Sequence, residues 1–426
     1  MGSVATMSRY HVKDVALAAE GSARIDWAQR RMPVLRAVRE RFAAERPLAG
    51  VRIAACLPVT AETGVLAQTL QSGGADVLLC GAVPGSTCDA VAAALVVECG
   101  IPVFAVDGED EETRHAHLEA ACDHRPHLVL DDGAEVIAQL HSARREQLGG
   151  VIAGCEQSLT GVLRLRALER DGKLAFPIVA VGETATKRLF ADRHGVGQAT
   201  VDAIARAAGT LVAGATWVVA GYGPCGRGIA GRAQALGARV IVTEVDPLRA
   251  VEAALEGHRV LPLNEAVTEA DVIVTATGSR HVLAAHHLDL LRDGVVLANA
   301  GHSNVEIELP ALRARAGDGG LQRVRPGVDE IALGGGRSAF LLADGRPVNV
   351  AAGSQPTLVL DMALACHALA AEYAVRNAAV LERRVFAVPA EIDREIARVE
   401  LGALGIAIDE QTAAQRRYLA SWGLEA

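Results

Sequence analysis

The chain has 426 residues, half of them apolar, with only 3% aromatic residues and a formal net charge of −9. That length allows two or three domains around well-buried cores. The acidic balance, with its positive charges scattered, argues against nucleic acid or an anionic membrane surface as a partner. Eight cysteines occur without CxxC pairs or zinc-type spacing, so no metal is expected and free thiols in a reducing compartment are. The start, MGSVATMSRY, has no apolar core of signal-peptide length, and no run reads as a membrane span, so the expected location is cytoplasmic.

In chain order, residues 11–45 carry helical periodicity interrupted at Pro33. Strand-like runs then alternate with helical segments: VRIAACL (51–57), ADVLLCG (75–81), PVFAV (102–106), HLVLDDG (127–133), GGVIAG (149–154) and FPIVAVG (176–182). This alternation predicts βαβ units and a parallel sheet. A second α/β set follows, with TWVVAGYG (216–223), ARVIVTEVD (238–246), ADVIVTATG (270–278) and GVVLANAG (294–301). From 302 to 350 the pattern loosens into shorter strands and turns. An Ala-rich helix is expected over 355–378, then a charged amphipathic tail. The fold class is therefore α/β: two doubly wound, Rossmann-like parallel-sheet domains with a helical C-terminal extension.

Gly221, Gly223 and Gly226 form GxGxxG directly after the apolar strand WVVA and before a helix. Alone the motif is weak, because βα turns often use glycine only to turn. Here the following strand ends in Glu244, roughly 20 residues on, where a carboxylate can accept both ribose hydroxyls of an adenosine. The helix N-terminus supplies amides and positive dipole to a pyrophosphate. NAD is the expected cofactor; Arg227 and Arg249 are the residues that could serve a 2′-phosphate instead, and Asp246 is the rival carboxylate. His286 and His287 lack a partner pattern and read as surface or packing residues.

The segment VVAGYGPCGRGIAGRAQALGARVIVTEVDPLRAVEAALEGHRV resembles the cofactor region of the S-adenosylhomocysteine hydrolase family. So do TATG (275–278), NAGHSNVEIE (299–308), GRPVN (345–349), and MPVLRAVRERF with the following PLAGVRIAACL. The resemblance runs through nearly the whole chain. It implies a substrate-binding domain from 1–191 and 352–385, an NAD-binding domain at 192–351, and a C-terminal oligomerisation extension at 386–426. It further implies hinge closure over substrate and a homodimer or homotetramer. The family's lysine-plus-HYRY ending, which reaches a neighbour's NAD site, is replaced by WGLEA.

Residue by residue, the resemblance is uneven. The family's CLHMTVET reads CLPVTAET: Thr60 and Glu62, matching residues that hold adenine, are kept, and the histidine beside the 5′ position is Pro58. Asp131 and Asp132 are kept, the second matching a carboxylate near C4′; an ordinary strand-end turn is the plain alternative for them. EETTTG reads EQSLTG, so a ribose-binding glutamate is Gln157. TKSKFDN reads TKRLFAD: Lys187 is kept, matching the lysine that assists 3′ oxidation and C4′ deprotonation, with a solvated helix residue as its plain alternative. The lysine's aspartate partner has become Ala191, and the neighbouring asparagine Asp192. Lys187 is therefore expected to stand without an aspartate, less firmly cationic and a better base. His302 matches a second active-site histidine near O5′, and a gating histidine has become Gln355. Around NAD the resemblance places Ser158, Thr160, Asp192, Thr277, Asn299 and Asn349, with the three glycines and Glu244.

In the family, NAD oxidises the ribose 3′-hydroxyl, which acidifies C4′–H; the carbanion expels the 5′ substituent, water adds, and the ketone is reduced again. The departures here cluster around the ribose and the 5′ arm. They lead to the expectation of a redox-neutral dehydratase or lyase that eliminates water from an adenine nucleoside. Its product would be a 4′,5′-unsaturated nucleoside, a class found among nucleoside antibiotics. Asp132, Lys187 and His302 would be its acid–base groups. The alternatives are a hydrolase of S-adenosylhomocysteine and a non-catalytic NAD-binding protein.

Overall fold

The computed structural model describes residues 9–317 and 320–422. The N-terminal stretch 1–8 and residues 423–426, which complete the expected C-terminal extension, lie outside the described residues. The first half of the chain forms strands β1 (Arg52–Leu57), β2 (Asp76–Gly81), β3 (Val103–Phe104), β4 (Leu128–Asp131), β5 (Ala153–Glu156) and β6 (Ile178–Ala180). The second forms β7 (Thr216–Ala220), β8 (Arg239–Thr243), β9 (Arg259–Val260), β10 (Val272–Thr275), β11 (Val295–Asn299), β12 (Gln322–Arg325), β13 (Val328–Gly334) and β14 (Arg337–Leu342), and β15 (Val385–Ala387) comes last. Their burial explains the sequence pattern. β4 to β7 are buried along their whole length, as parallel strands covered by helices on both faces must be.

Two sheets result. The first has the order β15-β6-β5-β4-β1-β2-β3 and is parallel throughout. The second has the order β12-β13-β14-β11-β10-β7-β8-β9. It is parallel except at one edge, where β12, β13 and β14 form an antiparallel meander. That meander is the loosened stretch between 302 and 350. Its strands alternate and turn at glycines, so no helix separates them.

The expected interruption at Pro33 falls between the helices Ala18–Gln29 and Pro33–Glu45, and Pro33 starts the second, where its missing N–H costs nothing. The long helix Thr357–Arg376 returns the chain to the first core, packing with residues of β1, β4 and β5. Contrary to the sequence reading, this helix is long and apolar enough by composition to cross a membrane; here most of it is buried among the protein's own side chains. Two further helices, Ala390–Ala403 and Ala413–Ala420, end the described chain, the second wholly exposed.

Candidate functional site: a cleft between two parallel sheets

Ligands in open α/β sheets bind beyond the carboxyl ends of the strands. One cleft of about 1700 Å³ occupies that position for both sheets at once. Pro58, Asp132 and Gln157 reach it from just past β1, β4 and β5, while Gly221, Thr277 and His302 reach it from just past β7, β10 and β11. Its volume exceeds that of a single small-molecule pocket.

The cofactor end is shaped by backbone. Gly221 has φ +98°, and a Cβ on Gly226 would overlap the Gly221 carbonyl oxygen, so the strand and the helix Pro224–Ala235 meet only through these two glycines. Gly223 differs: a Cβ there would meet only Arg249 at 3.6 Å, so its face is open to a ligand. Glu244 is braced by the amides of Tyr222 (2.7 Å), Val245 (2.7 Å) and Asp246 (3.1 Å) and lines the cleft. Asp246 instead caps the helix Pro247–Leu255, accepting from Leu248 N–H. Arg249 lies 3.7 Å from Asp246, and Arg227 is paired with Glu252. Both arginines thus have acid partners, which leaves Glu244 to favour NAD over its 2′-phosphate.

Asn349 supplies the test of fit. It lines the cleft, yet its Oδ1 is buried without a hydrogen-bond partner among the described residues. Such an atom costs free energy until a ligand donor reaches it. Asn299 is different. Its Nδ2 donates to Ser303 O (2.8 Å) and Gly345 O (2.9 Å), and its Oδ1 accepts from Gly301 N–H (2.7 Å). Expected beside NAD, it also braces the His302 loop and ties it to Gly345. Ser158 and Thr160 line the cleft, and Ser158 also caps the helix Leu159–Arg170 by accepting from Gly161 N–H.

At the other end of the cleft, one expectation is corrected. Lys187 does have an aspartate: Nζ is paired with Asp192 Oδ1 in a largely buried contact. In an α-helix the partner position would be i+4, which is Ala191. The segment Lys187–Val196 is wound as a π-helix, whose i→i+5 repeat brings position 192 over 187 instead. Burial pulls the Lys187 pKa down, but the Asp192 charge outweighs it and the amine sits above its ordinary value. Lys187 is thus held as a cation, the opposite of the expected free base. Asp192, expected beside NAD, lines the cleft and pairs with Lys187.

Asp132 and His302 come together across the two sheets, with His302 Nδ1 3.8 Å from Asp132 Oδ1. A Cβ at Gly133 would overlap His302 Nε2, so the DDG sequence needs its glycine to admit the imidazole. Pro58 lines the same cleft and brings no polar side-chain atom to it. Beyond, Glu62 accepts a hydrogen bond from Thr357 Oγ1 (2.9 Å), and Thr60 caps the helix Ala61–Ser72 through Thr63 N–H (3.3 Å). Gln355 lines the cleft against Gly195, with its Oε1 buried and unpartnered among the described residues. His287 is a packing residue that edges the cleft and accepts from Ala284 N–H, with burial pushing its pKa down.

Sequence reasoning passed over two buried carboxylates that hold these loops. Glu306 accepts from Thr277 N–H (3.0 Å), Thr277 Oγ1 (2.9 Å) and Gly278 N–H (2.7 Å), with burial raising its pKa. Glu156 accepts from Gly133, Ala134 and Ser158 N–H, at 2.9, 2.8 and 2.7 Å, and is also pushed up by burial. Both stand in motifs already quoted, NAGHSNVEIE and EQSLTG, and only their depth reveals the role. Asp131 is a third such group. It is fully buried, accepts from Ile137 N–H (2.9 Å), and burial raises its pKa to about 7.

Comparison with known proteins agrees with this architecture. Residues 9–153 match the model of S-adenosyl-L-homocysteine hydrolase, and residues 192–355 match that of its NAD-binding domain. An adenosylhomocysteinase of Aquifex aeolicus is 50% identical over 97% of this chain and 99% of its own. One of Saccharolobus solfataricus is 48% identical over 97% and 99%, and one of a Nostoc species 46% identical over 97% and 97%. NAD is therefore the cofactor of the glycine loop, and the chain belongs to the S-adenosylhomocysteine hydrolase family.

Proposed function

We propose that this cleft performs NAD-dependent elimination of a 5′ substituent from an adenine nucleoside. S-adenosylhomocysteine is the substrate that the relatives favour: homocysteine leaves, water adds at C5′ of the resulting 4′,5′-alkene, and adenosine is formed. The observation that carries the reading is the Lys187–Asp192 pair, in the cleft that also holds the glycine loop and the Asp132–His302 contact.

When bound, NAD would supply a reversible hydride acceptor for the sugar's 3′ carbon. Gly223, Glu244 and Asn349 would hold it, with Thr277 beside it. Lys187, kept cationic by Asp192, stabilises negative charge on O3′ once the C4′ proton leaves. Asp132 is the carboxylate placed to take that proton, and His302 carries the proton required at the 5′ leaving group. Thr60 and Glu62 hold the base, with Glu62 steadied by Thr357; Gln157 faces the sugar and Gln355 the mouth of the cleft. In domain terms, 1–191 with 352–385 binds substrate and 192–351 binds NAD. The protein acts as a cytoplasmic homodimer or homotetramer through residues 386–426.

A second reading rests on Pro58. With no polar side chain at that position, a single acid–base pair serves the 5′ end. Elimination of water from C5′, without readdition, would leave a 4′,5′-unsaturated nucleoside. Incubation of the NAD-loaded protein with S-adenosylhomocysteine, adenosine and sugar-modified adenine nucleosides, followed by mass spectrometry, separates the two. Homocysteine release supports the hydrolase. Loss of one water from a nucleoside, with no homocysteine from S-adenosylhomocysteine, overturns it in favour of the dehydratase.

A further inference from the structure

Gln157 does not enter the cleft unsupported. The helix Thr357–Arg376 places His367 behind it, fully buried, with Nδ1 3.2 Å from Gln157 Oε1 and Nε2 3.4 Å from the Cys155 carbonyl oxygen. Burial lowers the His367 pKa to about 4, so the ring is neutral and carries one N–H.

A carbonyl oxygen only accepts. If Nδ1 carried the proton, Nε2 would face Cys155 O lone pair to lone pair, an unpartnered acceptor in the core. With the proton on Nε2 the ring donates to Cys155 O, and Nδ1 becomes an acceptor that needs a donor. The carboxamide of Gln157 provides one once it is turned over by 180°, a flip that exchanges O and N in the same two positions, so that its NH2 meets the ring and Oε1 the cleft. This is the arrangement in which each group facing the ring is satisfied.

We infer that His367 is a positioning residue that fixes the carboxamide of Gln157, so that position 157 offers the sugar a neutral oxygen acceptor. The specificity consequence rests on the reading of this end as a sugar site. The substrate group opposite Gln157 must then be a donor, a free sugar hydroxyl, rather than an acceptor-only substituent. A glutamate at 157 would accept as well, but it would bring a charge and could not donate to the bare Nδ1.

Two measurements test this. Nitrogen-15 NMR of histidine-labelled holoenzyme, with the His367 signals identified by their loss in His367→Phe, should show a protonated Nε2 and a bare Nδ1 at neutral pH. A protonated Nδ1 would overturn the inference, whether or not any nucleoside binds. Binding of adenosine should then be compared with its 2′- and 3′-fluoro-deoxy analogues. One analogue should bind about tenfold more weakly to the wild type, close to one lost hydrogen bond. That discrimination should shrink in His367→Phe and fall no further on adding Gln157→Leu, the coupling expected of residues acting as one unit. Equal or tighter binding of both fluoro analogues by the wild type would mean that an N–H faces the sugar, and would overturn it. If adenosine itself fails to bind, the sugar-site reading falls, and the NMR result still decides the role of His367.

Discussion

The two ends of the cleft are built on different principles. At the cofactor end the shape comes from backbone: Gly221 against Gly226, an open Gly223, and a carboxylate braced by three main-chain amides. At the sugar end the shape comes from side chains held by other side chains: Lys187 by Asp192, Glu62 by Thr357, Gln157 by His367. A backbone cradle is written in the glycines themselves and varies little in what it can bind. A side-chain site can change its chemistry one residue at a time while the frame stays. That is why the cofactor is plain and the leaving group is where two readings meet.

The contrast predicts different failures. At the sugar end, substitutions should abolish chemistry and leave the fold. Lys187→Ala should reduce cofactor reduction on mixing with substrate by about 10²–10⁴-fold, the usual range for a lost acid–base or charge-stabilising group. Asp192→Ala should cost less, and it should move the alkaline limb of the rate profile to lower pH, because burial is then opposed only by the weaker effects of Cys225 and Asp132 on the Lys187 amine. An unchanged profile would break the pairing, and with it the claim that the π-helix re-creates a partner at position 192.

At the cofactor end, substitution should damage structure and binding together. Gly226→Ala forces a Cβ onto the Gly221 carbonyl oxygen, so about 1–3 kcal/mol of stability and most NAD retention should be lost. Denaturant unfolding and cofactor content after gel filtration would measure both. Full stability with full NAD content would mean that the loop has slack the geometry denies.

The smallest effect concerns the frame shared by both ends. Asp361 accepts from Val34 and Leu35 N–H, each at 2.8 Å, and burial pushes its pKa up to about 7. A folded-state pKa above the unfolded value of about 3.9 makes a contribution present below that value and lost as pH rises through about 7. Tm should therefore decline across that window in the wild type and decline less in Asp361→Asn. Equal slopes would remove Asp361 as the cause.

The same contrast explains what the sequence made legible. Apolar strands alternating with helices, GxGxxG and Glu244 are local patterns, and the two sheets and the cradle follow from them. The Lys187–Asp192 pair was misread because a motif compared position by position treats 191 and 192 as different sites. Only the winding of residues 187–196 reveals that 192 is the one facing the amine. Asn299 was placed beside NAD from its motif, which does not encode its contacts with Ser303 and with the distant Gly345 carbonyl oxygen. Glu156, Glu306 and His367 went unread for a related reason. Their roles depend on depth and on partners brought from other elements, which no linear pattern encodes.

The central claim is that a hydride leaves the substrate's sugar in this cleft and returns within one turnover. Stopped-flow absorbance at the reduced-nicotinamide band, on mixing NAD-loaded protein with S-adenosylhomocysteine or adenosine, tests it most directly. The account predicts a transient rise and partial fall with at least one of them, absent in Lys187→Ala. A flat trace with both, while product still forms, would contradict it.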